Sequence, residues 1–189
     1  MAKKYKYRFF VSYAWNDNCP PIYDKFGWVN CFVKELDNAL TGISGERQEL
    51  FIDYDKLLTD EGIQEGLWEA LKESALMVCV LSPSYLKSEW CTKELSRFEE
   101  LLKKKRNQSG SIFCVALYGG LDRRFDLTLP KRLQKILRIP FFKQDGVGPV
   151  DWPLDFQNIE DRVDLRNSMS KLAGDMNKRL ERLNRKARQ

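Results

Sequence analysis

Five short runs in this chain, "YRFFVSY" (7–13), "ELFID" (49–53), "LMVCVLS" (76–82), "SIFCVAL" (111–117) and "IPFF" (139–142), are rich in β-branched and aromatic residues. Three of them are almost unbroken in apolar character. A strand with one wet face alternates apolar and polar residues, so an unbroken run asks for cover on both faces. Between the runs the spacing changes. Trp28 to Leu40, Ile63 to Leu71 and Trp90 to Leu102, with a short "LPKRLQKIL" (129–137), repeat their apolar residues at steps of three and four. The stripe Leu165, Met169, Leu172, Met176, Leu180 and Leu183 does the same across Ile159 to Leu183. That is helical spacing. Strand and helix alternating in this way predict right-handed βαβ units and a parallel sheet between two helical layers. The expected architecture is α/β: a flavodoxin-like three-layer fold with a five-stranded parallel sheet and helices on both faces. No repeat, low-complexity tract or Pro/Gly linker divides the chain, so 1–189 reads as a single domain.

Ligands of such sheets bind beyond the carboxyl ends of the strands, near the point where strand order reverses. Three polar, aromatic-bearing loops follow strands at that edge: "SYAWND" (12–17), "DYDKLLTDEG" (53–62) and "SPSYLKSEW" (82–90). The third leads into a helix with one odd residue. At about 100° per residue, Trp90, Cys91, Leu95, Phe98, Leu101 and Leu102 share one arc, and Glu94 lies inside it. Lys93, Arg97, Glu99, Glu100 and Lys103 lie outside. From the residues alone, Glu94 is either a rim position paired with a lysine or arginine, or a carboxylate held at a site.

Composition narrows the chemistry. The chain has no histidine, which excludes Ser-His-Asp and Cys-His catalysis, histidine metal ligands and a histidine general base. Cys19, Cys31, Cys79, Cys91 and Cys114 are widely spaced and form no CxxC, so neither a disulfide frame nor a zinc ribbon is indicated. Cys31, Cys79 and Cys114 sit in apolar runs as small hydrophobes. A reducing cytosol is expected. The net charge of +5 owes part to the end "NKRLERLNRKARQ", whose cations suit the negative end of a helix dipole. Basic and aromatic residues do not interleave as on a single-strand platform, so no direct nucleic-acid partner is expected. The start "MAKKYKYRFF" lacks the apolar core of a signal peptide, and no run reaches the roughly 18 apolar residues of a membrane helix. A soluble cytoplasmic protein with no membrane partner is therefore expected. Neither G-x-G-x-x-G after the first strand nor G-x-x-x-x-G-K-[ST] occurs, so ordinary phosphate cradles are absent from the sequence.

With those segments in view, the chain resembles the Toll/interleukin receptor (TIR) domain family. "FFVSYAWND" (9–17), "LFIDYDKLLTDEGIQEGLWEALKESALMVCVLSPSYLKSEWCTKEL" (50–95) and "IPFF" (139–142) are similar to the three boxes of that family, over roughly residues 5 to 183. The W-x-x-x-E pair of Trp90 and Glu94 is a weak motif alone and a specific one at this point of the pattern. The resemblance implies a five-stranded parallel sheet wrapped by helices, and it leaves two classes of function open. Many bacterial and plant TIR domains, and one animal axon-degeneration protein, cleave NAD⁺ at the nicotinamide-ribose bond with a glutamate that corresponds to Glu94. Receptor and adaptor TIR domains of animals are assembly modules without this activity. The first class implies an NAD⁺ glycohydrolase or ADP-ribosyl cyclase in an immune or antiviral response, with NAD⁺ as substrate and neither cofactor nor metal. The second implies a non-enzymatic module. A nucleoside deoxyribosyltransferase-like enzyme, of similar architecture and also glutamate-dependent, is a third reading.

Carried onto this sequence, the resemblance makes Glu94 the catalytic residue and Ser12, Tyr13, Trp15, Asp53, Asp55 and Trp90 substrate-binding, with Lys56 at the border. Each has a plainer reading as well. Ser12 ends a strand, Trp15 covers the sheet edge, Asp53 and Asp55 form turns, Trp90 is core packing and Lys56 is solvated. Ala14 stands where other members carry arginine. In the family, the loop matching 54–62 packs on a neighbouring TIR domain, which implies self-association of this chain through that loop.

Overall fold

The computed structural model describes residues 5–20, 26–47, 61–105, 110–119, 131–143 and 151–186. Its strands are β1 (Tyr7–Ser12), β2 (Ser74–Leu81), β3 (Ile112–Ala116) and β4 (Arg138–Pro140). They lie side by side in the order β1-β2-β3-β4, and every pairing is parallel. The helices are α1 (Trp28–Ser44), α2 (Glu61–Glu73), α3 (Pro83–Lys87), α4 (Glu89–Lys104), α5 (Lys131–Gln134) and α6 (Arg162–Lys186), with 3-10 turns at Trp15–Asn18 and Ile159–Asp161. The parallel sheet between helices is the expected α/β arrangement. The strand number differs: four strands stand among the described residues instead of five. The run 49–53, expected as the further strand, lies outside the described residues, and with it any reversal of strand order.

All eight residues of β2 are buried. Neighbouring side chains on a strand point to opposite faces, so each strand feeds two cores. Phe9, Val11, Val78, Val80 and Val115 enter one, closed by Phe32 and Leu36 of α1 and by Leu172 and Met176 of α6. Phe10, Met77, Cys79, Leu81 and Cys114 enter the other, closed by Leu67 and Leu71 of α2 and by Leu95 and Phe98 of α4. Neither face of the sheet centre is wet, which is why its sequence shows no polar alternation.

Local chemistry sets where the elements start. Ser82 precedes α3 in extended backbone, and its Oγ accepts a hydrogen bond from the Tyr85 amide at 2.9 Å; Ser88 does the same for α4, accepting from the Cys91 amide at 3.2 Å. The helix α1 stops at Gly45, whose φ of +69° a side chain disfavours and whose N–H donates to the Thr41 carbonyl at 2.8 Å. At its other end a Cβ on Gly27 would collide with Asn18 of the 3-10 turn. That close approach lets Asn18 Oδ1 accept from the Asn30 amide at 3.1 Å and Asn18 Nδ2 donate to Asn30 Oδ1 at 2.8 Å. The loop after β1 is thereby tied to the first turn of α1.

The α1 contact is anchored by rings. Trp28 stacks on Phe32 at 5.1 Å, and Phe32 meets Phe141 edge-on at 5.3 Å. Phe32 has no exposed surface. Replacing it with alanine should cost about 3–5 kcal/mol, whereas Val163→Ala on the outer face of α6 should stay within about 0.5 kcal/mol. Urea unfolding of both variants checks this; equal midpoints would mean that α1 does not close this core.

Candidate functional site

Ser12 ends β1 with its side chain on the α2/α4 face of the sheet, the alternation that also sends Phe10 there. The start of α4 at Ser88 aims Glu94 at the same place. Ser12 Oγ donates to Glu94 Oε2 at 2.5 Å and is hydrogen-bonded to the Tyr85 hydroxyl at 3.2 Å. Ser12 is fully buried, and Tyr85 and Glu94 keep 3% and 5% of their surface. Burying a carboxylate this far costs several kcal/mol unless strong hydrogen bonds offset it. A short O–H to carboxylate bond is of the charge-assisted kind that does so.

Cys79 lies beside Ser12 in the β1/β2 register and beside Cys114 in the β2/β3 register, and it shares the core with Cys91. The Cys79 thiol is held well above its ordinary pKa, first by its hydrogen bond with Cys114 and then by burial. Burial pushes Cys91 up to about 12, with the nearby Glu94 and Cys79 adding to it. Burial raises the Tyr85 phenol as well. These groups are protonated at neutral pH, so the thiols are not nucleophiles. Among the described residues, no group of three or more cysteine, aspartate or glutamate side chains is arranged to hold a metal ion.

At the rim, Ser82 Oγ donates to Asp17 Oδ2 at 2.5 Å while it caps α3, which links the loops after β1 and β2. Asp17 is raised to about 6, chiefly by burial, against the lowering effect of the Ser82 bond. Exposed aromatics stand at the same strand ends: Trp15 at 62%, and Trp152 at 68%, edge-on to Tyr118 at 6.4 Å.

Of the residues singled out in the sequence, the structure brings Ser12 to Glu94. Tyr13 turns the other way and packs on the α1/α6 core, because successive strand residues alternate faces. Trp15 is exposed in the 3-10 turn. Trp90 is half-buried, with its ring 5.4 Å from Trp68 of α2, and Arg97 lies 4.7 Å above Trp68. Ala14, 6% exposed, belongs to the core on the α2/α4 face of the sheet. Asp53, Asp55 and Lys56 lie outside the described residues, and of the 54–62 loop only Glu61 and Gly62 are described, as the start of α2. The sequence places Asp17, Ser82 and Tyr85 in loops at this edge without giving them a role, and it reads Cys79 as a buried small hydrophobe, which it is. A signal existed for Tyr85, which sits three residues after an N-cap serine in a loop already marked. No helix among the described residues is long and apolar enough to cross a membrane.

The family model of the TIR domain matches residues 24–138. A curated relative, disease resistance protein RML1A of Arabidopsis thaliana, is 29% identical over 118 residues, which are 62% of this chain and 10% of that protein. The chain thus spans about a tenth of that relative's length. Among solved structures, the TIR domains of the activated Roq1 resistosome directly recognizing the pathogen effector XopQ align with 96% of this chain and 99% of that chain. The identity is 19% and the TM-score 0.40.

Asp17 yields a test of the rim. Its carboxyl holds a proton more tightly in the folded chain, at about 6, than at its ordinary 3.8, so the folded state binds more protons between those values. Stability from this group is present at low pH and falls as pH rises through about 4 to 6. Asp17→Asn removes the titration. The variant should match wild type near pH 4 and exceed it by about 1–2 kcal/mol at pH 7, less than the full shift because the carboxyl stays partly solvated. Urea denaturation at both pH values measures it; a difference that does not change with pH would contradict the buried assignment.

Proposed function

Since the chain belongs to the TIR domain family, we propose that it is an NAD⁺ glycohydrolase or ADP-ribosyl cyclase acting in a cytoplasmic immune or antiviral response. The observation that carries this reading is Glu94, a carboxylate 5% exposed on an otherwise apolar helix arc and hydrogen-bonded by Ser12. An assembly module needs an acceptor for the Ser12 hydroxyl there but no charge, which a neutral side chain would supply. The immune setting draws support from a relative that is a disease resistance protein.

Nicotinamide attached to ribose is already cationic. When the C1′–N bond breaks, its electron pair goes to the ring nitrogen, which becomes neutral, so the leaving group needs no acid. Positive charge then develops on the sugar as an oxocarbenium ion. A single carboxylate in a dry, preorganised setting stabilises that charge far more than one in water. Ordinary glycosides leave poorly and need a second carboxyl group. Water then adds at C1′ and releases its proton to solvent, or the adenine of the same ADP-ribose adds instead and gives a cyclic product. Ser12 holds the carboxylate in one orientation. Cys79, Cys91 and Tyr85, all with raised pKa values, surround it with neutral groups. Trp90, one turn before Glu94, walls the site beside Trp68. Since Glu94 is nearly enclosed, entry of NAD⁺ requires movement at the carboxyl edge of the sheet.

Glu94→Gln preserves the side-chain shape and an oxygen to accept from Ser12, so it should fold as wild type and lose nicotinamide release. The expected loss is on the order of a hundredfold or more, about 3 kcal/mol. Chromatography of nicotinamide and ADP-ribose products after incubation with NAD⁺ decides the matter; equal turnover by the two proteins would remove Glu94 from catalysis.

The site is completed by a second copy of the chain, in a head-to-tail contact through the 54–62 loop, as the family resemblance implies. Activity per molecule should then rise with protein concentration, and Leu57→Asp or Leu58→Asp should flatten the rise. Constant specific activity over a hundredfold dilution would show that each chain carries a whole site.

A further inference from the structure

Across the sheet from Glu94, α1 and α6 leave between them a groove of about 1120 Å³. Leu165 and Met169, which belong to the core on that face, supply an apolar floor. The walls are basic. Lys34 on α1, and Arg162 and Arg166 one turn apart on α6, are exposed and line the groove. None of the three makes a salt bridge among the described residues. The buried acid of the lining, Asp37, is already engaged by Arg8 at 3.8 Å and by Arg47 at 4.0 Å. Glu35 alone remains among the acids of that lining to answer three cations. Aromatic surface lies where α1 begins: Phe26 is 60% exposed, and Phe156 stands 5.4 Å from the Trp28 ring.

We propose that this groove binds a nucleoside diphosphate, with its base against Phe26 and Phe156 and its phosphates against Lys34, Arg162 and Arg166. Each part of the ligand answers a feature of the wall. Phosphate charge matches the unpaired cations, and arginine donors suit phosphate oxygens in pairs. An uncharged ligand would leave the cations without a partner, while inorganic phosphate would leave the apolar floor and the rings uncovered. From Arg162 to Ser170 the α6 wall runs about 12 Å, the scale of a base, sugar and two phosphates laid end to end. The volume lies a little above the usual range for small-ligand sites, about 300–1000 Å³, which leaves room for a base, sugar and two phosphates. Because Glu94 belongs to the opposite core, the groove is a separate place from the one proposed for NAD⁺, although both ligands carry an ADP unit.

The test is calorimetric titration of the 189-residue chain with ADP, pyrophosphate and adenosine. ADP should bind, and more weakly as salt rises. Arg162→Ala with Arg166→Ala should weaken ADP by about tenfold or more, the scale of one to two charge-assisted hydrogen bonds, with an unchanged melting temperature because both side chains are exposed. Phe26→Ala should weaken ADP and leave pyrophosphate alone, and Glu94→Gln should bind ADP as wild type does. No binding at millimolar ADP, full binding by the double arginine variant, or loss of binding in Glu94→Gln would each overturn the proposal. If ADP fails to bind while Arg162→Glu with Arg166→Glu alters the sedimentation coefficient, the groove is a protein interface instead.

Discussion

The rest of the structure depends on the complete burial of β2. Its eight residues leave no face for water, so the sheet must be covered twice, by α1 and α6 on one side and by α2 and α4 on the other. That demand reaches the polar residues as well. A serine at the end of β1, paired in register with Cys79, has its hydroxyl in the interior, where an unmet hydroxyl costs about 1–3 kcal/mol. Glu94 answers Ser12, and Ser12 answers Glu94. The Tyr85 hydroxyl gives Ser12 a second partner.

The thiols of Cys79 and Cys91 and the Tyr85 phenol around them are neutral. The hydrogen bond with Cys114 and then burial lift the Cys79 thiol, and burial lifts Cys91 and the Tyr85 phenol, so these neighbours remain donors or bystanders rather than ions. Ser82 repeats the pattern nearer solvent. One hydroxyl caps α3 and also donates to Asp17, so a single residue positions Tyr85 and joins two loops. On the opposite face the electrostatics are reversed in character. There the charges are cations at a solvated groove, held apart on two helices.

How far the sequence carries can be judged residue by residue. The helix expected over Trp28 to Leu40 runs to Ser44, and that over Trp90 to Leu102 spans Glu89–Lys104, since periodicity marks the packed turns and not the fraying ends. Glu94 was legible because an apolar arc makes a carboxylate conspicuous. Its partner is half legible: the sequence points to Ser12 and Tyr13 alike, yet adjacent strand residues face opposite ways, and Tyr13 serves the other core. The Ser12 to Tyr85 contact joins residues 73 apart, and no local pattern encodes it.

What the sequence determined by itself was the four described strands, the helices α1, α2, α4, α5 and α6, the parallel stacking and the anomaly at position 94, because periods of two and three to four are properties of neighbouring residues. Only the tertiary structure decided that Ser12 and not Tyr13 meets Glu94, that three thiols crowd beneath it, that Asp17 is drawn into a half-buried bond, and that Lys34 faces Arg162 and Arg166 across a groove. The physical reason is that a buried polar group is defined by what closes over it. Those closing residues come from strands and helices far apart in the chain, joined only when both faces of the sheet are covered.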